Sequence, residues 1–194
     1  MNINTWRNLR KQWSGDVYQV LPCVKAEAVV RHADVLRGMK VVDMGCNAGV
    51  ITHDIAKFVK EWRGVEPNEV AFKQALITAK IIKTPGRFVH SDIKTFLETT
   101  DFPYDAAFAS CMLYYLSQAD LKCLEDRLLP RCKVVLFPSR EDKGTSKGSL
   151  ARSIRNPLWK WTAIRDFLEK AGMHVDVHDL DSNWVSVIGT RSGA

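Results

Sequence analysis

Short apolar runs alternate along the chain with segments whose apolar residues recur at helical spacing. Five runs predict strands, at 39–44, 63–66, 87–90, 104–109 and 133–137. Helical spacing or a capping residue predicts helices over 22–37, over 49–60, from Asn68 to Ile82, after Asp92 through Leu97, and after the capping-box residues Ser117 and Asp120. Because short buried strands alternate with helices, we predict a parallel sheet that is covered on both faces.

The last third of the chain departs from this alternation. Residues 139–157 are polar and contain glycines, which predicts a long loop. Asn156 and Pro157 are typical of a helix start, and the helix is expected to stop at Gly172. Segments 173–178 and 184–190 then alternate with period two around a short turn, which predicts an antiparallel hairpin. The predicted fold class is therefore α/β: a Rossmann-like, doubly wound sheet of seven strands, mostly parallel, with a C-terminal antiparallel hairpin and helices on both faces.

Composition limits the number of domains and the compartment. The chain has 194 residues, 46% of them hydrophobic, which suits one core. We expect an N-terminal basic-aromatic segment over 1–20 and a single domain over 21–194. The five cysteines are scattered without a C-x-x-C pair, which indicates neither a zinc ribbon nor a disulfide framework and favours a cytoplasmic protein. No apolar run is long enough for a membrane span, and no apolar region follows the basic N-terminus as in a secretory signal.

A glycine turn follows the first predicted strand, in the run Asp43-Met44-Gly45-Cys46-Asn47-Ala48-Gly49. Glycine at such a turn lets a ligand approach the backbone, and the N–H groups of the next helix point into the same crevice. Glu66 ends the second strand 21 positions after Gly45, where a carboxylate can accept both hydroxyls of a ribose. A dinucleotide site needs G-x-G-x-x-G, and Asp43 would repel a pyrophosphate but attract an amine or a sulfonium. The pattern predicts a site for a nucleoside with a cationic tail.

These residues resemble the class I S-adenosylmethionine-dependent methyltransferases, and the resemblance covers roughly residues 38–190. The glycine turn is similar to that family's D/E-x-G-x-G-x-G motif, with Asn47 in place of the middle glycine. Glu66 falls on the acid that binds the ribose, and Asp92 falls on the acid that reads the adenine amino group. The resemblance implies S-adenosylmethionine as cofactor, S-adenosylhomocysteine as product, and this binding set: Asp43, Gly45, Cys46, Asn47, Gly49, Glu66, Pro67, Asp92, Ile93 and Ser110. Structural alternatives stay open, since Asp43 could cap a turn, Glu66 could be a solvated strand end and Asp92 could be a helix N-cap.

The methyl acceptor is expected beside the turn that follows the fourth strand, residues 110–115. This turn lacks the N/D-P-P-Y/F string of amino-methylating enzymes and the Pro-Cys pair of cytosine-C5 enzymes. Its sequence therefore disfavours both of these classes of methyltransferase. The candidate catalytic residues are Tyr114, Tyr115, His53 and Arg140. A core tyrosine and a histidine on a helix surface are the alternatives. His174, Asp176 and His178 share one strand face, but their mixed types at a sheet edge do not predict a metal site.

Basic residues concentrate after the fifth strand. Seven basic and two acidic residues lie between Ser139 and Arg165, and the formal net charge of the chain is +6. We interpret residues 139–155 as a lid over the acceptor, with Arg140 or Lys143 binding an anionic group; a solvated loop is the alternative. The predicted function is methyl transfer from S-adenosylmethionine to a small or medium acceptor that can be anionic. An RNA or other nucleic-acid methyltransferase and a non-catalytic S-adenosylmethionine-binding partner subunit are the alternatives, and the oligomeric state is open.

Overall fold

The computed structural model describes residues 22–140, 157–158, 160–180 and 184–191. Seven strands occur in these ranges: β1 (Lys40–Met44), β2 (Glu61–Glu66), β3 (Gly86–His90), β4 (Ala106–Ala109), β5 (Val134–Arg140), β6 (His174–Asp179) and β7 (Trp184–Thr190). The α-helices of the same ranges are α1 (Pro22–Arg31), α2 (Ala33–Leu36), α3 (Val50–Ile55), α4 (Glu69–Ala79), α5 (Ile93–Thr99), α6 (Gln118–Cys123) and α7 (Trp161–Lys170). Short 3-10 turns at Leu113–Tyr115 and Leu129–Arg131 and a π turn at Leu124–Leu128 complete the set.

The strands form one sheet in the order β3-β2-β1-β4-β5-β7-β6. Strands β1 to β5 run parallel, and β7 is antiparallel to both β5 and β6. This arrangement confirms the predicted fold class, including the C-terminal hairpin. The order of the strands reverses between β1 and β4, so the carboxyl ends of these two strands border a crevice, the usual position of ligands in open α/β sheets.

Alternating side chains of the strands build two cores, one on each face of the sheet. One core packs α5, α6 and α7 over side chains such as Met44, Ala109 and Phe137. The other core includes Val29 of α1, Leu36 of α2, Ile55 of α3 and Ala75 of α4. Because residues two apart in a strand point to the same face, Asp43 shares the second face with Val41.

Tertiary hydrogen bonds shift two of the predicted helix boundaries. The helix expected over 22–37 is interrupted at His32, whose Nε2 lies 2.9 Å from the hydroxyl of Ser186 in β7. The helix expected over 49–60 ends at Ile55, because the chain bends back toward β1: the N–H of Gly38 donates to the Phe58 carbonyl at 3.1 Å. The first prediction missed the interruption at His32 and the second was too long, since partners distant in sequence outweigh local helical spacing.

The elements around the long loop also differ from the prediction. Strand β5 continues to Arg140 rather than ending at 137, because it pairs with β7 along its whole length. Pro138 is tolerated there because the pairing of β5 with β4 ends at Leu136, so no bond to β4 is lost. Helix α7 begins at Trp161, not at Pro157, because Lys160 has an extended backbone and its N–H closes a turn onto the Pro157 carbonyl at 3.0 Å.

Several expectations concern residues outside the described ranges. The N-terminal segment 1–20 and most of the expected lid, including Lys143, belong to them. For Arg140 the backbone is described as part of β5 and the side chain is not. Among the described helices, none combines the length and the apolar character that crossing a lipid bilayer requires.

Candidate functional site

The glycine turn is held against the end of the neighbouring strand. The N–H groups of Gly45 and Cys46 both donate to the Val65 carbonyl, at 2.9 and 3.1 Å. Gly45 has φ +64° and Gly49 has φ +75°, in the left-handed region that favours glycine. The turn therefore closes tightly between β1 and α3 and directs the chain toward the carboxyl edge of the sheet.

Packing within the protein itself requires the two glycines. A Cβ at Gly45 would lie 3.0 Å from the Met112 side chain, and a Cβ at Gly49 would lie 2.3 Å from the Phe88 ring. From the sequence alone, these glycines are expected to allow the close approach of a ligand. In the structure, Met112 and Phe88 occupy the space that each missing side chain leaves, so a substitution is expected to disturb the fold before it disturbs any ligand.

Asn47 stands where the methyltransferase motif has its middle glycine. Its φ is +50°, and asparagine tolerates this conformation better than most residues. Its side-chain oxygen accepts a hydrogen bond from the Ala48 N–H at 2.7 Å. Asn47 thus takes the left-handed conformation itself and accepts a backbone hydrogen bond within the turn.

Glu66 connects the glycine turn to the start of α4. One carboxylate oxygen accepts the N–H of Asn47 at 2.8 Å, and the other accepts the N–H of Asn68 at 2.9 Å. The residue is buried, with 7% of its surface exposed. A carboxylate offers about four acceptor positions, so two backbone bonds leave about two for a ligand. The alternative of a solvated strand end is inconsistent with this burial.

Asp43 is a buried acid at the carboxyl end of β1. Its surface is 2% exposed, and it accepts a hydrogen bond from the hydroxyl of Thr52 in α3. Burial raises the pKa of Asp43 to about 7; the Glu66 charge adds to the rise, and the Thr52 hydrogen bond and the Lys25 charge oppose it. A buried carboxylate with one donor is under-satisfied, so a cation placed beside it would stabilise its charged form.

Asp92 is the N-cap of α5. Its two carboxylate oxygens accept from the Thr95 N–H and the Thr95 hydroxyl, both at 2.8 Å. The side chain is exposed, and the backbone hydrogen bond from Thr95 holds the pKa of Asp92 below its usual value. These contacts fit the capping role, which leaves adenine recognition as a prediction. Ile93 is buried in the core under α5.

Pro67 follows Glu66 at the exposed end of β2. Its carbonyl lies 3.0 Å from Nε2 of His90, which ends β3. The His90 ring stacks on Phe72 of α4, with 5.0 Å between the centroids and 14° between the planes. The structure thus brings the ends of β2 and β3 together beside α4, where the resemblance places the nucleoside.

The turn after β4 borders a small cavity. A pocket of about 10 Å³, close to the space that one water molecule needs, is lined by residues of this turn, of β5 and of the α7 region: Ala109, Cys111, Met112, Leu113, Tyr114, Phe137, Pro138, Ser139, Leu158 and Ile164. Cys111 has φ +58°, which is uncommon for a residue with a side chain. The Oγ of Ser110, the first residue of the turn, is buried and has no hydrogen-bond partner among the described residues. Such an orphaned hydroxyl at the edge of the crevice points to a missing polar partner.

The two candidate tyrosines differ in environment. Tyr114 lines the cavity, whereas Tyr115 is 37% exposed; their rings lie 4.4 Å apart at 52°. Burial, together with the nearby Cys111 and Tyr115, raises the pKa of Tyr114 above its usual value. Tyr114 therefore stays protonated near neutral pH, where it can donate a hydrogen bond but is a poor general base.

His53 lies in α3 outside this cavity lining. Its Nδ1 is 3.3 Å from a carboxylate oxygen of Asp54, which also binds Lys57 at 2.6 Å. Burial opposes the charged form of Asp54, but the hydrogen bonds from His53 and Lys57 outweigh it and lower the pKa of Asp54. The described contacts of His53 thus belong to an ion-pair group at the end of α3, but only 15% of its side chain is exposed, so it is not the surface histidine of the alternative.

Four residues that complete the site were not singled out from the sequence: Lys25, Thr52, Phe88 and Met112. Thr52 follows Gly49 by three positions, and that spacing on a helix start could have signalled a contact back to β1. Phe88 and Met112 carry no local signal, because their role is to fill the space beside the glycines. From the sequence, Lys25 would be expected on the surface of an amphipathic helix, yet it is only 6% exposed.

No group of three histidine, cysteine, aspartate or glutamate side chains in the described ranges could hold a metal ion. His174 and Asp176 lie 3.5 Å apart on the outer strand β6, and both are largely exposed. His178 instead faces His32, with 5.0 Å between the ring centroids. The three residues of that strand face therefore do not converge.

Comparison with known proteins identifies the fold. No family model and no curated protein matches the sequence. Similar solved structures include the methyltransferase domain of bacterial CtHen1-CN (TM-score 0.67, 18% identity, covering 86% of this chain and 97% of that one). A SAM-dependent methyltransferase from Aquifex aeolicus matches with a TM-score of 0.66 at 19% identity, over 94% of this chain and 96% of that one. The complex of DhpI with SAM matches with a TM-score of 0.69 at 12% identity, over 97% and 95%. The chain has the fold of class I S-adenosylmethionine-dependent methyltransferases, as its motifs predicted.

Proposed function

We propose that the protein transfers a methyl group from S-adenosylmethionine to a small or medium acceptor. One observation carries the proposal: two buried carboxylates, Asp43 and Glu66, lie at the carboxyl ends of adjacent strands on either side of a left-handed glycine turn. Asp43 would bind the cationic tail of this cofactor, and Glu66 would bind its ribose. Neither carboxylate would attract a pyrophosphate.

The residues of the crevice fit the cofactor in three further respects. Glu66 keeps acceptor positions after binding the Asn47 and Asn68 N–H groups. Asp43 has one hydrogen-bond donor in the described structure and would gain a second from an ammonium group. The buried Ser110 hydroxyl lacks a partner and lies where the cofactor and the acceptor would meet. Asp92 and Ile93 belong to the proposed adenine end.

The cofactor, when bound, supplies a methyl group activated by a sulfonium. The protein has to orient the acceptor for in-line attack and to exclude water. The turn after β4, beside which we place the acceptor, borders a small cavity with mainly apolar walls that also include Tyr114 and Ser139. Because Tyr114 stays protonated, its proposed role is to donate a hydrogen bond to the acceptor rather than to remove a proton from it.

A small acceptor is favoured over a nucleic acid by the charges that the structure describes. Arg165, part of the basic stretch after β5, lies 2.9 Å from Asp166 and 3.9 Å from Glu169, so its charge is offset within α7. Most of the other basic side chains of that stretch lie outside the described residues.

Isothermal titration with S-adenosylhomocysteine tests the cofactor, and NADH serves as the comparison ligand. We expect S-adenosylhomocysteine to bind with a stoichiometry of one and NADH not to bind. A folded protein that binds neither S-adenosylmethionine nor S-adenosylhomocysteine would disprove the proposal. Transfer of label from methyl-labelled S-adenosylmethionine to a broad panel of small acceptors and RNAs then separates the acceptor classes. Binding without turnover on the whole panel would favour the non-catalytic partner subunit.

A further inference from the structure

Lys25 is the only buried lysine or arginine among the residues whose side chains the structure describes. Its ammonium lies 5.3 Å from the centroid of the Trp184 ring. No carboxylate in the described ranges comes within ion-pair distance of it, whereas other lysines of these ranges do form such pairs, as Lys57 does with Asp54 at 2.6 Å. A buried cation whose partner in the described part of the chain is an aromatic ring is costly, so its position calls for an explanation beyond packing.

The position of Lys25 places it at the proposed cofactor site. Helix α1 packs against α3 and β5. Trp184 begins β7 and pairs with Arg140, the last residue of β5, so the ring lies at the carboxyl edge of the sheet. Trp184 shares the face of Ile188, which packs in the core under α1, and Asp43 lies on that same face. Lys25 and Asp43 are close enough for the lysine charge to lower the pKa of Asp43, without being in contact.

We propose that Lys25 receives an anionic group, a carboxylate, of the ligand that enters this crevice. A ligand end that carries both an ammonium and a carboxylate would place the ammonium at Asp43 and the carboxylate at Lys25, and so satisfy both buried charges together. The same chemistry has two sources: the methionyl end of S-adenosylmethionine, or an anionic group of the methyl acceptor. The inference rests on the proposed function, because it assumes that this crevice holds the cofactor.

The test uses Lys25→Met, which keeps the length of the side chain and removes its charge. Lys73→Met is the matched control, because Lys73 is 67% exposed on α4 and pairs with Glu69 away from Trp184. Isothermal titration measures binding of S-adenosylhomocysteine and of its decarboxylated analogue, which keeps the ammonium. Thermal unfolding of the ligand-free variants runs in parallel.

If the carboxylate belongs to the cofactor, Lys25→Met weakens binding of S-adenosylhomocysteine by at least about tenfold, as expected for a charge-assisted hydrogen bond. Binding of the decarboxylated analogue changes less than about twofold, and Lys73→Met changes neither. If the anion belongs to the acceptor, both ligands bind the variant normally, and acetate or inorganic phosphate titrated into the S-adenosylhomocysteine complex binds the wild type but not Lys25→Met.

A purely structural lysine gives a different result and would overturn the inference. In that case Lys25→Met lowers the melting temperature of the free protein and weakens both ligands equally, whereas a lysine kept for binding leaves the melting temperature unchanged or raises it. Equal binding of every probe by the wild type and Lys25→Met also overturns it. A wild-type protein that does not bind S-adenosylhomocysteine at all refutes the proposed function itself, so the two failures are distinguishable.

Discussion

The backbone N–H of Asn47 donates to the carboxylate of Glu66 at 2.8 Å, so the acid assigned to the ribose also fixes the glycine turn. The second oxygen of the same carboxylate fixes the start of α4 through Asn68, at 2.9 Å. Binding and folding therefore depend on one side chain. A ligand hydroxyl would meet a carboxylate whose orientation is already set, which lowers the entropic cost of binding.

Glu66→Gln is expected to reduce both stability and cofactor affinity. The amide nitrogen of glutamine cannot accept a hydrogen bond, so one backbone N–H, of Asn47 or Asn68, loses its partner. We expect a loss of about 1–3 kcal/mol in the free energy of unfolding, the usual cost of a buried unsatisfied group. Urea unfolding and titration with S-adenosylhomocysteine measure the two effects. Glu69→Gln, an exposed change on α4, is the control, and an equal effect of the two variants would refute the role of Glu66.

Cofactor affinity is expected to rise with pH through about 7. Burial raises the pKa of Asp43 to about 7, so below this value much of the free protein carries a neutral Asp43. The ammonium end of the ligand favours the charged form, and binding at pH 6.5 should therefore release a proton. The carboxyl of Asp43 also interacts with Glu66, Lys25 and the Thr52 hydroxyl. The nearby Cys46 thiol stays neutral, because burial raises its pKa well above the usual value. Calorimetric titrations in buffers of different ionisation enthalpy measure how many protons are released on binding.

The variant Asp43→Asn separates the pH dependence that arises from Asp43 from that of other titrating groups. The folded pKa of Asp43, about 7, exceeds the ordinary aspartate value of 3.8, so the folded state binds more protons than the unfolded state between these values. The stability that the protonated form contributes is therefore lost as pH rises through that window. The melting temperature of Asp43→Asn relative to wild type should increase from pH 5 to pH 8, and proton release should disappear. A constant difference across that range would contradict the assignment.

Gly49→Ala and Gly38→Ala form a matched pair that separates strain from overlap. Both glycines have left-handed φ values, +75° and +74°, but a Cβ at Gly49 would meet Phe88 at 2.3 Å, whereas a Cβ at Gly38 would meet open space. Conformation alone costs about 1–2 kcal/mol, and overpacking adds about 1–3 kcal/mol. We therefore expect Gly49→Ala to lower the free energy of unfolding by about 2–5 kcal/mol and Gly38→Ala by about 1–2 kcal/mol.

Combining Gly49→Ala with Phe88→Leu checks the cause of the difference. The smaller leucine side chain relieves the overlap with the ring but leaves the φ strain, so the two changes should be less destabilising together than the sum of the single changes. Strict additivity in the double-mutant cycle would mean that the Phe88 ring is not the obstacle.

The sequence predicted the sheet and its antiparallel hairpin and singled out Asp43 and Glu66, because period-two and helical spacing report local structure and the glycine turn marks the ends of the first two strands; it did not predict that both acids are buried. It did not predict the break at His32, which depends on Ser186, 154 positions away in the chain. It likewise assigned Gly45 and Gly49 to a ligand, because Met112 and Phe88 reach them only through the tertiary packing. Lys25 was missed for the same reason, since the Trp184 ring that covers it comes from the far end of the chain.

Asp92→Ser distinguishes helix capping from adenine recognition at the start of α5. Serine is as good an N-cap as aspartate, so the hydrogen bond to the Thr95 N–H is retained and the free energy of unfolding should change by less than about 0.5 kcal/mol. The carboxylate is lost, and if it reads the adenine amino group, S-adenosylhomocysteine should bind about five- to tenfold more weakly, in line with the net worth of one hydrogen bond. The loss of affinity should be smaller with S-inosylhomocysteine, which lacks the amino group.

Two control variants remove a helix cap. Asp92→Ala loses the cap of α5 as well as the carboxylate, which costs about 1 kcal/mol of stability. Ser117→Ala removes the cap of α6, which is not part of the proposed site. Unchanged binding in Asp92→Ser alongside a destabilised Asp92→Ala would mean that Asp92 acts as a cap alone and that another group reads the adenine.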